Sequence, residues 1–418
     1  MGDYLMVVQA PAFVVNDETF AIEGAFGEHL RVMKRKLDGR FDRLLLAAPQ
    51  LPESEYRRQS ATLAHVSRSE GIELVPLHPV DCGKAAFWGH EARAAWSRLV
   101  EAVSTSDVVH AGLADDLWRP TMAFANAAGL LAGKKILFFV DIDFRNDTTM
   151  YRRSGMLPLR QYWMNRLVYD PIKLAQVHLA PRLFDLVFFK SERMVQEVGR
   201  GRANVKNFFD TAHAPEHVVS DAGLATRRAR VEAGGPLEVV FFGRFVEYKG
   251  LDRSIDAVLA ARRAGDDIRL TLIGQGDERE ALERLVADRQ AEAFVTIQEP
   301  LRYGPELFDA LERYDVQLAT PLVEDTPRAA FDAMARGLPI AAFGINYYRD
   351  LEELSGAVRT SKWPDVEDLG RVLVELHRDR SKLSSMSANA VAFARDNTQE
   401  QWLDRRVRWT LELLEARG

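Results

Sequence analysis

The chain is 418 residues long, 47% hydrophobic and 28% charged, with a formal net charge of −6 and a single cysteine. That length predicts two domains of roughly 150 to 220 residues rather than one core, the composition argues against disorder, and the acidic balance argues against a protein whose main work is holding nucleic acid. Cys82 alone allows no internal disulfide and no cysteine-cluster metal site, which fits a reducing, cytoplasmic setting.

The start, MGDYLMVVQAPAF, lacks the basic region, long apolar core and cleavage site of a signal peptide and reads as a first strand. No apolar run approaches ~18 residues, so no conventional transmembrane helix is expected. Short apolar runs then alternate with helix-period segments, the pattern of βαβ units and parallel sheets. Strands are predicted near 4–9, 43–49, 107–112, 135–142 and 186–191, with the clearest helices over 27–37 and 90–103. Residues 219–236, VSDAGLATRRARVEAGGP, are short of large apolar side chains and end in Gly-Gly-Pro. They read as an exposed connector, which sets a linker at 221–236 between domains 1–220 and 237–396. The alternation restarts with strands at 237–243, 268–274, 294–298, 316–321 and 338–343, separated by helices over about 251–264, 277–291, 305–313 and 328–336. A last helix over 399–416, capped by Asn397 or Thr398, either closes the second sheet or crosses between domains.

Three loops at strand ends concentrate the chemistry, since open α/β sheets bind ligands at the carboxyl ends of their strands. In GRFVEYKG (243–250), Gly243 ends an apolar strand and Arg244 and Lys249 flank the turn. A planar guanidinium and a mobile ammonium together suit a diphosphate, although such a pair is also an ordinary surface feature. LIGQGDERE (272–280) places Gly274 and Gly276 where a ligand can approach the backbone, or simply makes a tight turn; the acids that follow disfavour phosphate there and leave nucleoside or sugar. In PLVEDTPRAAFDAMARGLP (321–339), Glu324, Asp325 and Asp332 straddle a strand-to-helix turn. Carboxylates there accept hydrogen bonds from sugar or ribose hydroxyls, while Asp325 or Thr326 equally suits a helix cap.

Taken together and in order, the three loops resemble the nucleotide-sugar-binding domain of family 4 glycosyltransferases, over roughly 237–418. The resemblance implies an α/β GT-B fold: two Rossmann-like domains, an inter-domain cleft, and a C-terminal helix (397–418) that returns to the first domain. It implies transfer of a sugar from a nucleoside diphosphate sugar to an acceptor, with anomeric retention and no cofactor or obligatory metal. Arg244 and Lys249 would contact the diphosphate, Glu324 the donor sugar and Asp332 the ribose. Asp332 stands where the family usually has the longer glutamate, and Thr326, Pro327 and Arg328 replace its usual glycines; Arg328 offers the phosphates a further charge.

The first half resembles the family more loosely. EGAFGEHLRVM (23–33) looks like its glycine-containing loop and helix, which makes Gly24, Ala25 and Phe26 candidates for donor phosphate or acceptor. His110, at the end of DVVHAG, is an acceptor candidate or a hydrogen-bonded core histidine. Where relatives carry a histidine beside the reacting sugar, FFVDIDF (138–144) offers Asp141 and Asp143, as acceptor contacts or, for Asp141, a general base. An Asp-x-Asp is also the metal motif of the other glycosyltransferase fold, which would leave the second-half loops unexplained. Two basic stretches, around Arg31, Lys34, Arg35, Lys36, Arg40 and Arg43 and over 149–167 with Tyr151, Tyr162, Trp163 and Met164, suit an anionic membrane surface or a solvated face. The expected setting is polysaccharide or glycolipid assembly on the inner face of a membrane, with a glycan or lipid-linked acceptor. The other readings are a non-catalytic nucleotide-sugar-binding subunit and a nucleotide-sugar epimerase.

Overall fold

A computed structural model of the chain describes residues 2–60 and 63–415; the last residues of the expected C-terminal helix, 416–418, lie outside these. In chain order the strands are β1 (Asp3–Val7), β2 (Phe13–Asn16), β3 (Thr19–Glu23), β4 (Leu44–Gln50), β5 (Leu63–Ser67), β6 (Ile72–Pro79), β7 (Ser106–Gly112), β8 (Lys135–Val140), β9 (Leu186–Phe189) and β10 (Val205–Asn207) in the first half. The second half holds β11 (Leu237–Arg244), β12 (Ile268–Gln275), β13 (Val295–Gln298), β14 (Val316–Ala319), β15 (Ile340–Phe343) and β16 (Val358–Ser361). The first parallel sheet runs β10-β9-β8-β7-β1-β4-β6 and the second β13-β12-β11-β14-β15-β16. Strands such as Ile136–Val140 are buried throughout, because helices cover both faces of a parallel sheet and leave no polar side.

A small antiparallel sheet, β2-β3-β5, was not expected. Its outer strand Phe13–Asn16 is half-buried to exposed and carries no clear alternation, so periodicity had nothing to read. β3 leads directly into the helix Gly24–Leu37 and fixes where that helix starts.

The predicted linker is a correction. Residues 221–232 form a helix, with the Ser220 hydroxyl accepting from Gly223 N–H at 3.2 Å. The helix packs on the second domain through Val231 and, unusually, through buried Arg227. The Arg227 guanidinium donates to the carbonyls of Gly337 (2.8 Å), Tyr314 (2.6 Å) and Asp315 (3.2 Å), and burial pushes its pKa down to about 9. The chain instead crosses between domains just after β10. There Phe208 enters the first core and its neighbour Phe209 enters the second, beside Phe331.

The last helix, Gln399–Glu415, starts at a reciprocal cap in which Thr398 N–H donates to Gln401 Oε1 (3.0 Å) and Gln401 N–H to Thr398 Oγ1 (3.4 Å). It returns to the first domain, burying Leu403 and Val407 in that core and pairing Asp404 with Lys36 at 2.5 Å.

Candidate active site

The carboxyl ends of both parallel sheets meet at the cleft. On the second domain, a cavity of about 310 Å³ is lined by Gly243, Arg244, Lys249, Asp325, Arg328 and Tyr348, among others. Arg244 Nη2 donates to the Tyr248 hydroxyl at 3.3 Å, and Lys249 is ion-paired with Asp325. Asp325 is therefore not the helix cap that the sequence suggests. The helix begins at Ala329, its N-cap position Arg328 makes no side-chain cap, and Asp325 turns back to neutralise Lys249. Gly274 and Gly276 do not line this cavity. A Cβ at Gly274 would lie 1.9 Å from the Gly243 carbonyl oxygen, and one at Gly276 2.2 Å from that of Phe245. The glycines let two strand-end loops touch, so backbone rather than ligand fills the space their missing side chains leave.

Glu324 is buried at the domain interface, outside the lining of either cavity. Its backbone N–H donates to Asp147 Oδ1 of the first domain at 3.1 Å, and its Oε1 accepts from Asn346 N–H at 3.0 Å. Burial, with Asp143 and Asp147 nearby, pushes its pKa up to about 8, and burial likewise takes Asp147 to about 7. Asp332 is also buried. Its Oδ1 accepts from the Tyr303 hydroxyl at 3.1 Å, and burial raises its pKa to about 7.

On the first domain a second cavity, about 340 Å³, is lined by Phe26, His110, Phe139, Asp141, Asp210 and Arg406, among others, and Arg328 borders both cavities. His110 stacks on Phe139 with ring centroids 3.9 Å apart, and its Nδ1 lies 3.0 Å from the Tyr4 hydroxyl. Burial lowers its pKa, with Arg406 and His29 adding to the effect. It is at once hydrogen-bonded in the core and exposed to the cavity. Asp141 is largely exposed and lies 3.5 Å from Lys190.

Asp143 and the amides at the start of the first helix correct the sequence reading. Asp143 is buried, ion-paired to Arg145 at 2.6 Å and bonded to Asn346 Nδ2 at 3.0 Å, so it clamps the domain interface and is spent as an acceptor contact. At the first helix, the Glu23 carboxylate accepts from the N–H groups of Ala25 (3.2 Å) and Phe26 (2.8 Å). A carboxylate thus fills the helix-start position that the expectation assigned to phosphate. Gly24 and Ala25 lie outside the cavity lining, and only Phe26 of the three reaches it.

Sequence reasoning missed Lys190, Asp210, Tyr303, His29 and Arg406. Lys190 follows four apolar strand residues, LVFF, as Arg244 ends β11 after its apolar run, and could have been found by the same rule. Arg406 sits on the core face of the last helix, at the i+3 position from Leu403.

Two facing parallel α/β domains with a cleft between and a returning C-terminal helix define the GT-B fold of glycosyltransferases. The chain superposes on Anabaena HepE in complex with UDP and glucose with a TM-score of 0.61 and 14% identity, covering 99% of this chain and 100% of that one. It superposes on sucrose-phosphate synthase from Thermosynechococcus elongatus with a TM-score of 0.62 and 12% identity, covering 100% of both. Residues 225–392 match the family model described as Glycosyl transferases group 1, so the C-terminal domain is a group 1 glycosyltransferase domain. That match begins inside the helix 221–232, in keeping with its packing on the second domain. Curated relatives include the 2-deoxystreptamine glucosyltransferase of Streptomyces kanamyceticus, 33% identical over 29% of this chain and 31% of that protein. Another is the GtfA subunit of a UDP-N-acetylglucosamine–peptide N-acetylglucosaminyltransferase from Limosilactobacillus reuteri, 24% identical over 32% of this chain and 23% of the relative. The chain thus spans under a third of the length of these relatives.

Proposed function

We propose that the protein transfers a glycosyl group, with retention, from a nucleoside diphosphate sugar in the second-domain cavity to an acceptor in the first-domain cavity. The observation that carries this reading is the pair of cavities on opposite domains, joined at Arg328, with Arg244 and Lys249 at the strand ends of the second. In this reading the bond from the anomeric carbon to the diphosphate breaks, the acceptor hydroxyl oxygen takes the carbon, and the hydroxyl proton passes to the departing phosphate oxygen. Arg244, Lys249 and Arg328 stabilise the leaving charge, with Asp325 releasing Lys249 as the donor enters, and no obligatory metal is invoked. By resemblance Glu324 takes the donor sugar, although in this structure it lies outside the cavity lining, and Thr326 donates to the Asp141 carbonyl. Asp332 and Tyr303 take the ribose side, and Asp141, steadied by Lys190, orients the acceptor.

The setting fits polysaccharide or glycolipid assembly at the cytoplasmic membrane surface. Among the described residues no helix is long and apolar enough to cross a membrane. A continuous helical stretch over 159–183 nevertheless exposes Trp163 (52%), Leu167 (69%), Ile172, Leu179 and Leu183. Arg160, Arg166, Lys173 and Arg182 share that stretch, and its one acid, Asp170, is buried against Thr148. Such a face suits the boundary of an anionic bilayer. The other basic stretch fits less well, because Arg31, Lys34, Lys36 and Arg43 are all ion-paired within the protein.

The test is release of nucleoside diphosphate from a panel of nucleotide sugars, with and without glycan acceptors. Acceptor-stimulated release with a new glycoside supports the reading. Binding without any release would favour a binding subunit, and an isomerised donor without acceptor would favour an epimerase.

A further inference from the structure

The first-domain cavity contains a cation, Arg406, that among the described residues forms no ion pair with a carboxylate. Arg406 Nη2 donates to His29 Nε2 at 3.1 Å and lies 3.2 Å from the Met33 sulfur. Its Nε is buried without a partner, and its guanidinium carbon is 5.9 Å from the centre of the Phe139 ring. His29 is no counter-ion. Burial and the Arg406 charge push its pKa down to about 4, so it is a neutral acceptor. The two acids facing the cavity, Asp141 and Asp210, both flank Lys190, at 3.5 and 3.8 Å. Among the described residues, neither is ion-paired with Arg406. Burial lowers the Arg406 pKa, Asp210 and Asp141 act on its charge only from beyond ion-pair distance, and an oxyanion in direct contact relieves that desolvation cost. Around it Phe26, Phe139 and Phe208 supply flat apolar walls, in a volume suited to a monosaccharide unit.

We propose that, given the transferase reading above, the acceptor is an anionic saccharide whose phosphate or carboxylate is received by Arg406 while its ring packs on these aromatic faces. The helix that returns from the donor domain then sets acceptor specificity. Arg328 lies at the border with the other cavity and stays with the donor phosphates, so the two cations serve different anions.

The experiment is calorimetric titration of glucose 6-phosphate, glucuronate and glucose into wild type, Arg406→Met and Arg406→Lys at one ionic strength, with nucleoside diphosphate affinity measured in each. Expected is binding of at least one anionic sugar about 10-fold or more tighter than glucose, with the preference abolished in Arg406→Met and partly kept in Arg406→Lys. Which of the two sugars shows it distinguishes phosphate from carboxylate. Nucleoside diphosphate affinity should not change. Equal affinity for all three sugars, or an anionic preference that survives Arg406→Met, overturns the proposal. So does weaker nucleoside diphosphate binding in Arg406→Met, which would assign Arg406 to the donor and leave the transferase reading intact. An Arg406-dependent anionic preference in a protein that binds no nucleoside diphosphate would instead sink the donor reading alone. Should Arg406→Met not fold, the Arg406→Lys arm and competition by inorganic phosphate carry the same decision.

Discussion

Arg227 illustrates how one side chain can hold an element in place. The helix 221–232 has little apolar surface, and its guanidinium instead satisfies three buried carbonyls of the second domain. Arg227→Met keeps the bulk but leaves those oxygens without donors, so it should lower unfolding free energy by about 3 kcal/mol in urea titration. A loss below about 0.5 kcal/mol would contradict the account. The stretch VSDAGLATRRARVEAGGP reads as a linker because a buried arginine and an exposed one look alike in sequence. Other single residues were more legible. Arg244 and Lys249 line their cavity because a strand end dictates it, whereas the partner of Asp325 depends on which loop folds opposite, and no local pattern carries that.

Among elements, the segment following β8 decides how the domains meet. Residues 141–154 lean across the cleft, where Thr326 Oγ1 donates to the Asp141 carbonyl (3.3 Å), Glu324 N–H to Asp147 Oδ1 (3.1 Å), and Ser154 Oγ to the Leu322 carbonyl (3.0 Å). Glu324 is buried and Asp147 half-buried there, with pKa values raised to about 8 and about 7, above ordinary values of 4.5 and 3.8. A raised acid binds its proton more tightly in the docked state. Its contribution is therefore fully present below the ordinary pKa, declines as pH rises, and is gone above the raised one. The thermal midpoint should fall between about pH 4.5 and pH 8, and a Glu324→Gln, Asp147→Asn double variant should flatten that slope. Parallel slopes in the two proteins would contradict the latch. The Asp-Ile-Asp letters gave no hint of this, since Asp141 and Asp143 leave the same strand for different cations.

At the scale of the molecule, the central strands of both parallel sheets were legible, because buried strands announce themselves as apolar runs, whereas the edge strands β6, β10 and β16, only partly buried, were not expected. The antiparallel sheet and the arrangement of the domains were not, because the latter rests on pairs such as Lys36 with Asp404 that are distant in sequence. The face over 159–183 belongs to this scale as well. The protein should sediment with vesicles rich in phosphatidylglycerol but not with phosphatidylcholine, and salt or a Trp163→Glu, Leu167→Glu pair should release it; equal binding to both vesicles would remove the membrane reading. The account as a whole turns on whether the second-domain cavity holds a nucleoside diphosphate. Calorimetric titration of the nucleoside diphosphates into wild type, Arg244→Ala and Lys249→Ala measures this directly. The account predicts saturable 1:1 binding of at least one of them, weakened roughly 10- to 100-fold by either substitution, as loss of a charge-assisted contact requires. Wild-type affinity retained in both variants would contradict it.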